Sequence, residues 1–104
     1  DYGMWLVCDR ETDRVIGRAG IEKKKDTEDD EVELGYVIAY DRRREGYATE
    51  VCEAILKWTA GLPEISRVKA VIDEKNLPSI ALIKKLGFTK VRGEHWEYLI
   101  PRAN

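Results

Sequence analysis

The stretch that most constrains this chain is an apolar strand feeding a glycine-containing turn that opens a helix. The strand reads Leu34-Gly35-Tyr36-Val37-Ile38-Ala39-Tyr40, and the turn follows as Arg43-Arg44-Glu45-Gly46-Tyr47-Ala48. An amphipathic helix is predicted to open near Gly46 and to run through Thr49, Val51, Ala54, Ile55 and Trp58. The first-turn N–H groups of a helix have no partner within it, and the helix dipole adds partial positive charge at the same end. A glycine there lets the backbone approach a ligand closely, and a small residue such as Ala48 leaves room beside it. Arg42, Arg43 and Arg44 add cationic charge around this cradle. The pattern predicts a site for a diphosphate-bearing ligand.

Two common diphosphate loops are excluded. The Walker pattern Gly-x-x-x-x-Gly-Lys-Ser/Thr is absent, and the dinucleotide fingerprint needs three glycines where only Gly46 stands. What fits is Arg-x-x-Gly-x-Ala, carried by Arg43, Gly46 and Ala48. Thirty residues beyond Gly46 comes Asn76-Leu77-Pro78-Ser79-Ile80-Ala81-Leu82-Ile83-Lys84-Lys85-Leu86-Gly87-Phe88, with Arg67 to Ile72 as a strand between. Together these segments resemble the acyl-CoA loop, Gln/Arg-x-x-Gly-x-Gly/Ala, and the Asn-x-x-Ser/Ala…Lys-Leu-Gly-Phe segment of the GNAT superfamily of N-acetyltransferases. Glu33-Leu34-Gly35-Tyr36 and Gly46-Tyr47-Ala48-Thr49-Glu50 look most like its ribosomal-protein and spermidine acetyltransferase branch. The resemblance covers roughly residues 2–100.

Composition agrees with a single domain over residues 1–104. The chain has 43% hydrophobic residues, enough for one core. A net charge of −2 creates no global field for nucleic acid or an anionic membrane, so the arginine run suits a small anion better than a polymer. Cys8 and Cys52 lie far apart without metal spacing, each in an apolar segment, and read as buried free thiols. No secretory segment or long apolar run is present, which predicts a soluble, cytoplasmic protein that neither spans nor binds a membrane.

Along the chain, strands are predicted over residues 2–8 and 14–22, then a charged, solvated loop over 23–31 and a third strand over 32–40. A helix over 46–59 ends at Ala60-Gly61-Leu62-Pro63, where Gly61 suits the C′ position and Pro63 prevents continuation. A strand over 66–72 precedes a second helix, with Pro78 in its first turn, Ile80, Ile83 and Leu86 on one stripe, and a stop at Gly87. A closing hairpin runs over 88–92 and 95–100 through Gly93-Glu94. The order β-β-β-α-β-α-β-β predicts a mixed α/β sheet, and the resemblance implies that it is the GNAT-like acyl-CoA N-acyltransferase fold. The family's usual fold begins with one more strand and two helices that line part of the acceptor site. This chain is expected to be either a fragment or a minimal version. An exposed sheet edge then invites pairing, so a homodimer is expected.

The resemblance implies an acetyl-CoA-dependent N-acetyltransferase acting on a primary amine of a small molecule or a protein N-terminus. Acetyl transfer requires a held cofactor, a neutral amine, a stabilised oxyanion and a protonated leaving thiolate. Backbone groups of Tyr36, Val37 and Ile38 would hold the pantetheine arm where the sheet splays apart. N–H groups of Arg44, Glu45, Gly46, Tyr47, Ala48 and Thr49 would wrap the pyrophosphate, with Arg43 also counted among the cofactor-binding residues and the Thr49 hydroxyl as an extra donor. Asn76 would orient the pantetheine end, or else serve as a turn or helix-cap residue. An N–H near Ile38 would face the oxyanion, a contact worth about 3 kcal/mol in comparable sites.

For the base, Glu33 is the first candidate and Glu31 the second, each otherwise a solvated strand-end carboxylate. Many relatives place a tyrosine acid seven residues after the motif asparagine, where this chain has Ile83. Ser79, three after Asn76, matches a serine that relatives place near the thiol, or is simply a first-turn residue. His95 reads as structural, and Trp5, Trp58 and Trp96 as core or pocket wall. No Ser-His-Asp set and no metal cluster is apparent, which favours direct transfer in a ternary complex. A non-catalytic CoA-binding module, or an inactive fragment, is the rival reading.

Overall fold

Strand β3, Glu31–Ile38, is the central element of a six-stranded mixed sheet ordered β1-β2-β3-β4-β6-β5. The computed structural model describes residues 2–38 and 46–101, with Ile38 described by its backbone alone. Around β3 the chain runs β1 (Met4–Cys8), β2 (Val15–Glu22), α1 (Tyr47–Thr59), β4 (Arg67–Val71), α2 (Leu77–Lys85), β5 (Thr89–Arg92) and β6 (His95–Leu99). The predicted element order is the observed one. Among the described strands only β3 and β4 are parallel, as expected for strands joined through a helix, and the other neighbours are antiparallel.

Strand alternation divides the sheet into two unlike faces. Ile21, Val32, Leu34, Val68, Ala70 and Trp96 share one face and are buried with Cys52, Ile55 and Leu56 of α1 and Ile83 of α2. In α1 the buried residues Cys52, Ile55, Leu56 and Thr59 follow the i, i+3, i+4, i+7 pattern of a helix facing a core. The opposite face carries Glu33, Arg67, Lys69 and Glu97, and no described helix covers it.

Three expectations change here. The charged loop after β2 is not merely solvated: Lys24 pairs with Glu33, Asp26 with Lys69 and Asp30 with Arg67, so the loop docks onto the charged face of β3 and β4. Cys8 is exposed, because it has the opposite strand parity to buried Val7, whereas Cys52 is buried as expected. Of the three tryptophans only Trp96 is buried. Trp5 and Trp58 are 43% and 48% exposed and meet edge to face with ring centres 5.2 Å apart.

Helix ends follow the chemistry of their residues. α2 ends in a complete Schellman motif: Phe88 N–H donates to the Ile83 carbonyl, and Gly87 N–H to that of Lys84. Gly87 takes φ 101°, and Phe88 and Ile83 are both buried. Gly61, expected to terminate α1 in the same way, is not among the left-handed residues. The α1 cap is Ala60 in right-handed geometry, and Gly61 N–H donates to the Trp58 carbonyl as a tightened last turn.

Candidate active site

The β3–β4 ladder is short. It pairs Glu31 with Arg67, Val32 with Val68 and Glu33 with Lys69, and ends there. Both strands continue, β3 to Ile38 and β4 to Val71, so a notch opens on the β4 side of residues 34–38. On its other side this part of β3 stays paired with β2, from Leu34 opposite Ile21 to Ile38 opposite Gly17. Because β3 and β4 are parallel and each leads into a helix, the starts of α1 and α2 follow the same end of the pair. In open α/β sheets a crevice at the carboxyl ends of diverging strands is where ligands bind.

The two helix starts are finished differently. Gly46 is the N-cap of α1 at φ 79° and, lacking a side chain, supplies no side-chain hydrogen bond to the first turn. Among the described residues, a Cβ built on Gly46 meets nothing within 4 Å. Tyr47, Ala48 and Thr49 follow as its first residues, each partly buried. Arg43, Arg44 and Glu45 lie outside the described residues. α2, by contrast, is capped: Asn76 Oδ1 accepts the N–H of Ser79 at 3.3 Å, and Pro78 stands in the first turn. Asn76 is exposed and is thus observed in its helix-cap role. The cap uses the carbonyl oxygen of the side chain, whose amide nitrogen is a separate donor.

Glu33 lies inside β3, which begins at Glu31. It belongs to the last rung of the ladder, opposite Lys69, at the closed foot of the notch. Its side chain is only 13% exposed and pairs with Lys24 Nζ at 3.1 Å. That hydrogen bond, reinforced by the Coulomb attraction of the same carboxylate, raises the Lys24 pKa above its ordinary value. Glu31 is also buried and accepts the N–H of Glu28, with Arg67 4.0 Å away.

On the helix-covered side, the Tyr36 hydroxyl donates to Ser79 Oγ at 3.1 Å. Burial pushes the Tyr36 pKa up, outweighing the opposite pull of the Ser79 contact. Glu33 and Ser79 therefore flank the notch from opposite faces of the sheet. Ile83 is fully buried, so the position seven after Asn76 points into the core. His95 is the first residue of β6, opposite Val71. Tyr36 and Lys24 have site side chains that sequence reasoning did not identify. The shared parity of Tyr36 with Leu34 indicates the side of its ring, but nothing local names its partner.

An open cavity of about 780 Å³ lies between the β1–β2 turn and the first turn of α1, lined among others by Cys8, Asp9, Tyr47 and Glu50. Among its described lining residues, the carboxylates Asp9, Glu11 and Glu50 outnumber the cation Arg10, which does not suit a polyphosphate. Among the described residues, no three metal-ligating side chains converge. No described helix is long and apolar enough to cross a membrane.

Comparison with known proteins adds a second line. The family described as "Acetyltransferase (GNAT) domain" matches residues 1–89. An uncharacterized N-acetyltransferase of Bacillus subtilis, YjdG, is 26% identical over 102 residues, covering 94% of this chain and 60% of that protein. An uncharacterized N-acetyltransferase of Bacillus licheniformis, p20, is 31% identical over 81 residues, covering 78% of this chain and 45% of its own length. The chain thus spans roughly half to three-fifths of these relatives. Among solved structures, the ribosomal-protein-S5-alanine acetyltransferase of Vibrio fischeri superposes with TM-score 0.84 at 15% identity, covering 95% of this chain and 62% of that one. A variant of the spermidine N-acetyltransferase of Vibrio cholerae superposes with TM-score 0.78 at 14% identity, covering 92% and 63%. At those identities the likeness concerns the fold.

Proposed function

This chain belongs to the GNAT acetyltransferase family, and on that premise we propose that it transfers the acetyl group of acetyl-CoA to a primary amine by direct attack in a ternary complex. The observation that carries the reading is the three-residue β3–β4 ladder, with the starts of α1 and α2 following the same end of the parallel pair. The backbone of Tyr36, Val37 and Ile38 holds the pantetheine arm as a missing strand would be held. The first turn of α1, from Gly46 through Tyr47, Ala48 and Thr49, receives the pyrophosphate together with Arg43, Arg44 and Glu45. Asn76 orients the arm through its side-chain amide while its carbonyl oxygen caps α2.

The chemistry follows from the two sides of the notch. An amine with pKa near 10 is mostly protonated at neutral pH and must lose a proton to attack. Glu33, on the charged face, is the group to take it, through water and after displacing Lys24. The thioester carbonyl lies between the faces, its developing oxyanion met by an N–H near Ile38. The sulfur leaves toward Ser79 on the helix side. A base on one side and a leaving-group partner on the other suit direct transfer without an acyl-enzyme.

The acceptor is the amine of a small molecule or of a protein N-terminus, and the free thiols Cys8 and Cys52 are in keeping with a cytoplasmic setting. Strand β1 lies at one edge of the described sheet, so pairing with a second copy is the assembly to look for by sedimentation. A CoA-binding module without turnover is the second reading, favoured by the engagement of Glu33 with Lys24 and the burial of Ile83.

Calorimetric titration with acetyl-CoA, with CoA and ATP as comparators, tests the proposal. Micromolar binding of acetyl-CoA that is lost in Gly46→Glu is the expected result. A folded chain that binds none of them overturns the reading. Binding without turnover on any amine leaves the second reading.

A further inference from the structure

Tyr36 is committed to the site through its side chain as well as its backbone. Its hydroxyl crosses from β3 to the first turn of α2 and donates to Ser79 Oγ at 3.1 Å, joining residues 43 apart in sequence. Ser79 is held a second time, by the hydrogen bond from its N–H to Asn76 Oδ1. A serine in a helix's first turn ordinarily rotates among water and nearby backbone partners. Here one lone pair of Oγ is filled by the phenol, so the proton of Ser79 must point elsewhere. The strand that carries Tyr36 borders the notch, because β3 has lost its β4 partner beyond Glu33. The half-buried phenol has a raised pKa and remains a proton-bearing donor at neutral pH.

We propose that Tyr36 is a positioning residue for acetyl transfer: by donating to Ser79 Oγ it turns the Ser79 O–H toward the sulfur of the thioester. The inference rests on the reading of the notch as the acetyl-CoA site. In the transfer, the amine nitrogen forms its bond to the carbonyl carbon, and its proton passes to the base. The carbon–sulfur bond breaks with its electron pair going to sulfur. The thiolate then accepts a hydrogen bond from Ser79 and takes its proton from solvent. Tyr36 keeps its own proton throughout, so no tyrosine acid at position 83 is needed.

The test follows the thiol of bound CoA by its ultraviolet thiolate absorbance across pH, using the acetyl-CoA complex, which has no free thiol, as the blank. The parent chain is expected to hold this thiol below the ordinary value of about 8.5. In Tyr36→Phe the bound thiol should titrate about one unit higher, the size of one charge-assisted hydrogen bond weakened. Ser79→Ala should show at least that rise, and adding Tyr36→Phe to it should change nothing further.

A bound thiol that titrates alike in the parent and in a folded Tyr36→Phe overturns the proposal and leaves the cofactor site standing. Loss of CoA binding in folded Tyr36→Phe also overturns it, since the phenol would then belong to the binding surface. Should Tyr36→Phe fail to fold, Ser79→Ala decides, and an unchanged thiol there overturns the idea. Failure of the parent to bind CoA removes the reading of the notch and this inference with it.

Discussion

Glu33 and Tyr36 belong to the same strand but face opposite sides of the sheet, Glu33 toward Lys24 and Tyr36 toward Ser79. The odd separation of the two on an extended strand makes this geometry unavoidable. It divides the proposed work, with proton removal on the charged face and leaving-group support on the helix face. Glu33→Gln is therefore expected to lower kcat by about a hundredfold, within the range for a general base. The affinity for acetyl-CoA should stay unchanged, as measured by calorimetry. A comparable loss of cofactor affinity would contradict the division.

Asn76 carries a cap whose removal has a readable cost. Asn76→Ala should destabilise the chain by about 1 kcal/mol in urea denaturation. Asn76→Asp keeps the capping oxygen and adds favourable charge at the helix start, so it should recover that stability. It replaces the amide donor by an oxygen, however, so CoA affinity should not recover with it. Recovery of both would assign Asn76 to the cap alone.

At Gly46 the constraint is conformational, since φ is 79° while a Cβ meets none of the described residues within 4 Å. Gly46→Ala should therefore cost about 1 kcal/mol, the penalty of a left-handed alanine. Denaturant midpoints measure it. A neutral or stabilising result would mean that this turn is reached with negative φ in solution.

The two thiols should behave as different species. Cys8 is exposed and should react at once with a disulfide reagent, whereas Cys52 should react only on unfolding. Burial pushes the Cys52 thiol from an ordinary 9.0 up to about 12. A raised value means that the folded chain retains a proton the unfolded chain gives up. The associated stability is fully present below pH 9.0 and is lost as pH rises toward 12. Cys52→Ala should flatten the fall of Tm over that window, and an unchanged slope would contradict the assignment.

The acid limb has the opposite sign. Asp30 is held below its ordinary 3.8 by hydrogen bonds first from Ser66 and then from Arg67, and Asp26 chiefly by its hydrogen bond from Lys69. These carboxylates favour the folded state above the unfolded value and cease to do so as pH falls through their folded values. Asp30→Asn should therefore make Tm less dependent on pH below about 5. Both groups are exposed to solvent, so added salt should shrink the difference.

Much of this architecture was legible in the residues, because local rules governed it. Gly87 followed by Phe88 announced the end of α2, and Asn76 with Pro78 announced its start. Other features depended on contacts distant in sequence. β1 reads as an unbroken apolar run, Met4-Trp5-Leu6-Val7-Cys8, so alternation could not tell that Cys8 faces outward. The loop after β2 looked solvated because its charges are local, while their partners Lys69 and Arg67 stand on another strand. The reach of Tyr36 to Ser79 follows only from the β3-α1-β4 crossover, which brings the start of α2 back beside β3. Gly61 had the right residue type for a left-handed cap, but the turn after α1 closed in another way.

The early end of the β3–β4 ladder makes β3 an edge strand in the interior of a sheet. Exposed edges are hazardous because any extended chain can zip onto them. This one is bounded laterally by β4 and sealed at its foot by the Glu33–Lys69 rung. A passing strand cannot slide alongside it, whereas a slender extended molecule entering end-on can be paired by the main chain. Recognition of that kind depends on backbone shape more than on side-chain identity, leaving the surrounding residues free to diversify.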